Sequence, residues 1–294
     1  MTKPLVGTFS IVARCPQSDQ LGIAISTAIP AVGSMCPFIR PGVGAVTTQS
    51  WVNPYLAIDI LDRLARGEAV GTALEATLAD DPDRSLRQVG VVGIDGTAAS
   101  WTGEGCTPAH GHLKGEGYAI QGNMLAGAET LAAMEAAFLA SDGEDLAERL
   151  VGALEAGQAA GGDKRGKQSA ALLIHGLEAY PDLDLRVDEH AAPVAELRRV
   201  FTVARRQLQP FLASMPKRHG RTVPLSDADK AQILATPAQR GGPSSGNRRA
   251  ELEAVYEPIR REIEKLRSLD VTDFHPAVVF DPRIGLPRRR NTDE

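Results

Sequence analysis

Three strand-like segments come before the first helix-like one, and this order is the tightest constraint on the fold. Residues 7–13 (Gly-Thr-Phe-Ser-Ile-Val-Ala) alternate Thr8, Ser10 and Val12 with Phe9, Ile11 and Ala13, the period of an extended strand. Asp19 and Gln20 mark a turn, and residues 21–27 read as the second arm of an antiparallel hairpin. Residues 43–50 form a third strand. Two helices follow: 54–66, opened by Pro54 with Leu56, Ile60, Leu61 and Leu64 on one face, and 69–78. Strands 88–94 and 97–102 are joined by Asp95-Gly96, a strong two-residue hairpin turn, and 118–121 adds a short strand. Two Ala-rich helices (128–140 and 144–156), a strand (169–174), an edge strand (184–187) and a helix (195–212) complete this region.

Strands and helices therefore segregate in runs and do not alternate as βαβ units. This predicts an α+β fold with mainly antiparallel sheets. Two sheets packed face to face, with helix pairs on both outer faces, satisfy the order. The apolar, scarcely alternating strand 88–94 fits a strand covered on both sides.

The chain's 294 residues suit one large domain with an appendage. A formal net charge of -5 and only 4% aromatic residues give no basis for nucleic-acid binding. No basic-then-apolar leader and no run of 18 apolar residues is present, so the expectation is a cytoplasmic protein without a membrane span. Cys15, Cys36 and Cys106 are an odd set without CxxC spacing, which fits a reducing compartment. Composition shifts near Pro210 towards Pro, Gly, Ser and basic residues. The expected organisation is a main domain over 1–210, a linker over 211–222 and a helical, extended tail over 223–294. In the tail, Ser226 is a candidate N-cap, and 249–269 carries an apolar stripe (Leu252, Val255, Tyr256, Ile259, Ile263, Leu266) that must cover something.

Thr8 is the first chemical candidate. If the Gly7–Thr8 bond were cut, Thr8 would carry a free α-amine beside its own hydroxyl, a nucleophile with a built-in base. An α-amine titrates near pH ~8, so it can accept a proton close to neutrality. Thr8 can equally be an ordinary strand residue. Ser10 shares its strand face. Gln49, Ser50 and Asn53 lie between a strand and a helix N-terminus, where backbone N–H groups serve either an anion or a capping turn. Gln121 and Asn123 flank Gly122 after a strand, and their amides suit an oxyanion or a polar turn. The segment 161–169 (Gly-Gly-Asp-Lys-Arg-Gly-Lys-Gln-Ser) is the most unusual. Asp163 can pair with Lys164 or Arg165, Gln168 adds an amide, and Ser169 opens a buried strand where it can touch a neighbouring nucleophile. His110 and His112 lack further ligands at a recognised spacing, and 161–168 lacks the phosphate-loop pattern, so no metal or cofactor is expected.

Seven blocks, among them 8–14, 42–49, 121–127 and 157–170, resemble the domain-of-unknown-function 1028 family in its order over about residues 7–205. That resemblance implies the N-terminal-nucleophile (Ntn) hydrolase fold, a four-layer αββα sandwich. Many members begin Met-Thr-Phe-Ser, so loss of Met exposes the Thr. Here six extra residues precede Thr8, and exposure needs cleavage at the Gly7–Thr8 junction. Thr27 stands where many members carry a basic residue. The implied chemistry is hydrolysis of a small amide or other C–N bond. Thr8 would attack, Gln49 or the Ser50 backbone with Asn123 would hold the oxyanion, Asp163 and Ser169 would orient the amine, and Asn53, Gln121, Lys164, Arg165 and Gln168 would line the substrate. The tail (Leu225 onward, the 252–269 helix and 270–276) resembles the small C subunit of bacterial amidotransferases, which implies an amidase-signature partner docked on 223–290; the stripe can equally pack on the chain's own sheet domain or form a dimer, and a homo- or hetero-oligomer is expected. The alternatives are an uncleaved, non-catalytic subunit that stabilises an amidase, and a hydrolase that uses a cysteine.

Overall fold

The computed structural model describes residues 7–235 together with Arg261, Glu264 and Lys265. The 249–269 helix and the 270–290 arm therefore lie outside the described residues, apart from those three positions. The chain divides into two units, Met1–Ile233 and Leu234–Glu294. The first holds two antiparallel sheets. One has six strands in the order β10-β9-β2-β1-β8-β7, built from Leu183–Val187, Ser169–His175, Leu21–Thr27, Thr8–Arg14, Tyr118–Asn123 and Gly111–Gly115. The other has four in the order β3-β4-β5-β6, from Pro37–Arg40, Gly44–Ser50, Arg87–Gly93 and Ala98–Thr102. Helices α1 (Pro54–Ala65) and α2 (Val70–Ala79) cover the four-stranded sheet. Helices α3 (Glu129–Ala140), α4 (Leu146–Ala159) and α5 (Pro193–Gln207) cover the six-stranded one. The sheets pack on each other through β1, β2 and β8 against β4 and β5. This is the four-layer αββα sandwich.

The alternation in β1 assigns its two faces. Phe9, Ile11 and Ala13 pack with Met134, Leu150 and Leu154 of the helix layer. Thr8, Ser10 and Val12 turn towards the second sheet. At the Val12 end that inter-sheet layer is apolar, made with Leu21, Ile23, Ala45, Val92 and Ala119. At the Thr8 end it is polar, and this change of character along one strand fixes where chemistry can occur.

Two strands escaped the sequence reading, β3 and β7. The predicted helix 195–212 is in fact two, α5 and α6 (Gln209–Ser214), with Pro210 in the first turn of the second. Proline has no N–H to continue the α5 ladder but fits a new first turn. The predicted linker is tied down: the Glu178 carboxylate accepts from the backbone N–H of Arg218 (3.0 Å) and His219 (2.8 Å). Ser226 caps α7 (Asp227–Leu234), its hydroxyl accepting from Asp229 N–H at 3.0 Å. Among the described residues no helix is long and apolar enough to cross a membrane.

Candidate active site

The head of β1 lies in the middle of the six-stranded sheet. Strand register sets Thr8 opposite Thr27 of β2 and Asn123 of β8, and Thr27 opposite Ser169 of β9. Four polar residues thus form one row, Asn123–Thr8–Thr27–Ser169, all essentially without solvent contact. Directly opposed residues share a face, so the row points into the inter-sheet layer.

Within the row, the Thr8 hydroxyl donates to Thr27 Oγ1 at 3.2 Å, and the Thr27 hydroxyl donates to the Gly7 carbonyl oxygen. A second donor reaches that oxygen: Arg165 Nη2 at 2.9 Å. The Gly7 carbonyl therefore sits between a hydroxyl and a guanidinium, on the residue bonded to Thr8. Arg165 is itself fixed by Asp163, donating from Nη2 (2.6 Å) and Nε (3.1 Å) to the two carboxylate oxygens. The Asp163 carboxylate is buried and also accepts from the backbone N–H of Arg165 (2.9 Å) and Ala28 (3.1 Å). Its loop is pinned to the end of β8 by an isolated bridge to Leu125 and by Lys164 N–H donating to Met124 O at 3.0 Å. Met124 has φ of 51°, a conformation that side chains resist and that the surrounding bonds impose.

Gly7 is buried, and nothing larger fits there. A Cβ on Gly7 would lie 2.7 Å from Met124 Cβ and 2.8 Å from both Asp163 oxygens.

Behind Thr8 runs a polar seam between the sheets. Ser10 Oγ donates to Gln49 Oε1 (2.7 Å) and accepts from Gln121 Nε2 (2.6 Å). Gln49 Nε2 donates to Gln88 Oε1 (2.8 Å) and reaches the Thr8 carbonyl at 3.4 Å. Asn123 Nδ2 donates to Gln88 Oε1 at 2.9 Å. Gln88 Nε2 in turn holds Gly122 O (2.8 Å) and Gly111 O (3.0 Å). All five side chains are fully buried. Buried amides are expensive unless bonded, so the seam rigidly supports the back of the Thr8 row. Asn123 Oδ1 and Gln121 Oε1 are left without a partner among the described residues.

The structure thus gathers Thr8, Ser10, Gln49, Gln121, Asn123, Asp163 and Arg165. Ser169 stands in the row, but its hydroxyl serves the β2–β3 connection, donating to Ile29 O (2.6 Å) and accepting from Val32 N–H (3.1 Å). Ser50 ends β4 at φ 65°, beside the Cys106 thiol. Asn53 caps α1, accepting from Tyr55 N–H, and donates to Asp81 at 3.1 Å. Lys164 donates to Pro108 O at 3.0 Å, and Gln168 N–H to Thr27 O at 2.9 Å. Two residues were missed. Gln88 read as an ordinary position in an apolar strand. Thr27 read only as a departure from the family, although its hydroxyl joins Thr8 to Gly7.

The cysteines do not share this site. Burial pushes the Cys36 thiol up to about 12 and raises Cys106 as well. Cys15 lies just beyond the opposite end of β1. His112 Nδ1 is paired with Thr102 Oγ1 at 2.9 Å, and His110 Nδ1 lies 3.3 Å from Thr107 O.

A four-layer αββα sandwich with a Gly-Thr junction buried at the head of a central strand is the class that fold and site define. The model of a family of unknown function, DUF1028, matches residues 8–197, and the chain belongs to that family. Protein SPO2555 from Silicibacter pomeroyi, a DUF1028 protein of known crystal structure, is 29% identical with a TM-score of 0.63, over 67% of this chain and 89% of that one. Anbu (ancestral beta-subunit) from Yersinia bercovieri is 13% identical with a TM-score of 0.34, over 71% of this chain and 98% of its own. No curated protein matches the chain.

Proposed function

We propose that this protein is an Ntn-type amidohydrolase whose nucleophile, Thr8, is made by cleavage of the Gly7–Thr8 bond. One observation carries the reading: the Gly7 carbonyl oxygen accepts from both Thr27 Oγ1 and Arg165 Nη2, while Thr8 Oγ1 donates to the same Thr27. In cleavage, Thr8 Oγ1 attacks the Gly7 carbonyl carbon. Thr27 and Arg165 hold the oxyanion that forms. The C–N bond breaks, the Thr8 nitrogen leaves as an amine with the proton given up by the hydroxyl, and water hydrolyses the resulting ester. Preorganised donors on a developing oxyanion are the largest single contribution to most acyl transfers. The exposed α-amine then serves as base for the same hydroxyl. On a substrate amide, the Thr8 hydroxyl proton passes through that amine to the leaving nitrogen, and water releases the acyl group. Asp163 holds Arg165 in place, and Gln49 fixes the Thr8 carbonyl. The raised thiols of Cys36 and Cys106 weigh against either as the nucleophile, and Cys15, where burial pushes the thiol up but hydrogen bonds at Ser18 and Gln17 outweigh it and lower it, lies beyond the end of β1 opposite Thr8.

The test is the intact mass and N-terminal sequence of protein purified without an N-terminal tag. The expected chain begins at Thr8 and hydrolyses members of a small-amide panel, with Thr8→Ala inactive. A chain that keeps residues 2–7 sinks this mechanism and favours the non-catalytic subunit, with an amidase docked on residues 223–290.

A further inference from the structure

Resting on that reading, we infer that the site beside Thr8 excludes acyl groups that carry a carbon branch on the side of the α-carbon where an L-residue bears its Cβ. In the uncut chain Gly7 is itself the acyl group on Thr8, so its surroundings are those of the acyl pocket. The carbonyl oxygen is fixed by Thr27 and Arg165, which fixes the α-carbon behind it. A carbon branch there meets Met124 Cβ at 2.7 Å and the Asp163 oxygens at 2.8 Å. Neither neighbour can retreat. Cβ moves only with backbone, and the Met124 backbone is held by Lys164 N–H on its carbonyl oxygen. The carboxylate is clamped by Arg165 and by the Ala28 N–H. A carbon pressed on the carboxylate also displaces its hydrogen-bonded surroundings without replacing them. An acyl group that places a nitrogen where the Gly7 nitrogen stands and hydrogen at the Cβ position matches Gly7 itself, so a glycyl-type acyl group fits and an L-alanyl-type one does not.

Two esters test this, the p-nitrophenyl esters of N-acetylglycine and N-acetyl-L-alanine. They differ only by a methyl at the position the Gly7 surroundings block. The protein is expressed as residues 8–294 with Met in place of residues 1–7, so that removal of Met leaves Thr8 first without self-cleavage. In the reaction Thr8 Oγ1 bonds to the acyl carbon, the bond to nitrophenolate breaks, and the hydroxyl proton goes to the α-amine; water then frees the acid. After the Thr8→Ala background is subtracted and each rate is divided by that ester's spontaneous hydrolysis, the glycine ester should be preferred on the order of 10- to 100-fold, the range that overpacking a rigid wall produces. Equal rates overturn the inference and leave the nucleophile standing. No rate above background for either ester overturns the nucleophile reading, and the inference with it.

Discussion

Thr27 bridges Thr8 and Gly7: its hydroxyl accepts from the Thr8 hydroxyl and donates to the carbonyl oxygen of the residue bonded to Thr8. The side chain is fully buried, so no water stands ready to replace it. Thr27→Val keeps the shape and removes the hydroxyl. Cleavage at Gly7–Thr8, followed by intact mass over time, should slow on the order of 10²-fold, as loss of one oxyanion donor does elsewhere. Thr27→Ser should restore most of the rate. Unchanged cleavage in the valine variant would remove Thr27 from the mechanism.

Arg165 and Asp163 form a partly buried pair, with the Asp163 side chain 1% exposed and that of Arg165 22%. Removing one partner of such a pair is costly because the other charge stays buried. Arg165→Met should destabilise the domain by about 3 kcal/mol. Adding Asp163→Asn removes the stranded charge and should return part of that loss, a coupling that a double-mutant cycle in denaturant reads directly. Strictly additive losses would show that the pair does not act as a unit.

The layer order was legible because it depends on local signals. Strand period, the Asp95-Gly96 turn and Pro54 at a helix start all act within a few residues. Strands β3 and β7 gave no such signal: Gly111–Gly115 (Gly-His-Leu-Lys-Gly) has no β-branched residue, and β3 opens with a proline. The site was half legible. Polar residues next to apolar strands marked Gln49, Gln121, Asn123 and Asp163. What brings Thr27 to Thr8 is register between strands, and what turns the Ser169 hydroxyl away is a loop that folds over it. Neither relation has a local signature.

Gly90 lies against the Gln121 side chain of the polar seam. A Cβ there would lie 2.0 Å from Gln121 Oε1 and 2.5 Å from its Cδ. Gln121 cannot withdraw without giving up its 2.6 Å bond to Ser10 Oγ. Gly90→Ala should therefore cost about 2–3 kcal/mol, lowering Tm by roughly 4–12 °C for a domain of this size. Pairing it with Gln121→Ala should give back part of the loss. A Tm within a degree of the parent would show that the seam can shift.

Asp81 anchors the loop that follows β4. It accepts from Arg87 Nε (2.9 Å), Asn53 Nδ2 (3.1 Å) and its neighbour's Asp83 N–H (2.9 Å), while Arg87 Nη1 holds Trp51 O at 2.8 Å. Burial pushes the carboxyl up, but the bonds from Arg87, Asn53 and Asp83 outweigh it and hold the group below its usual range. A carboxyl with a depressed folded value adds stability above its unfolded value, and that stability is lost as pH falls through the folded one. The loss should therefore set in below pH ~4. Tm measured from pH 7 to pH 3 should fall more steeply in the parent than in Asp81→Asn, which has no proton to gain. Parallel curves would place the acid sensitivity in other carboxylates, such as Asp95 or Glu178, whose values are also held down by backbone N–H donors.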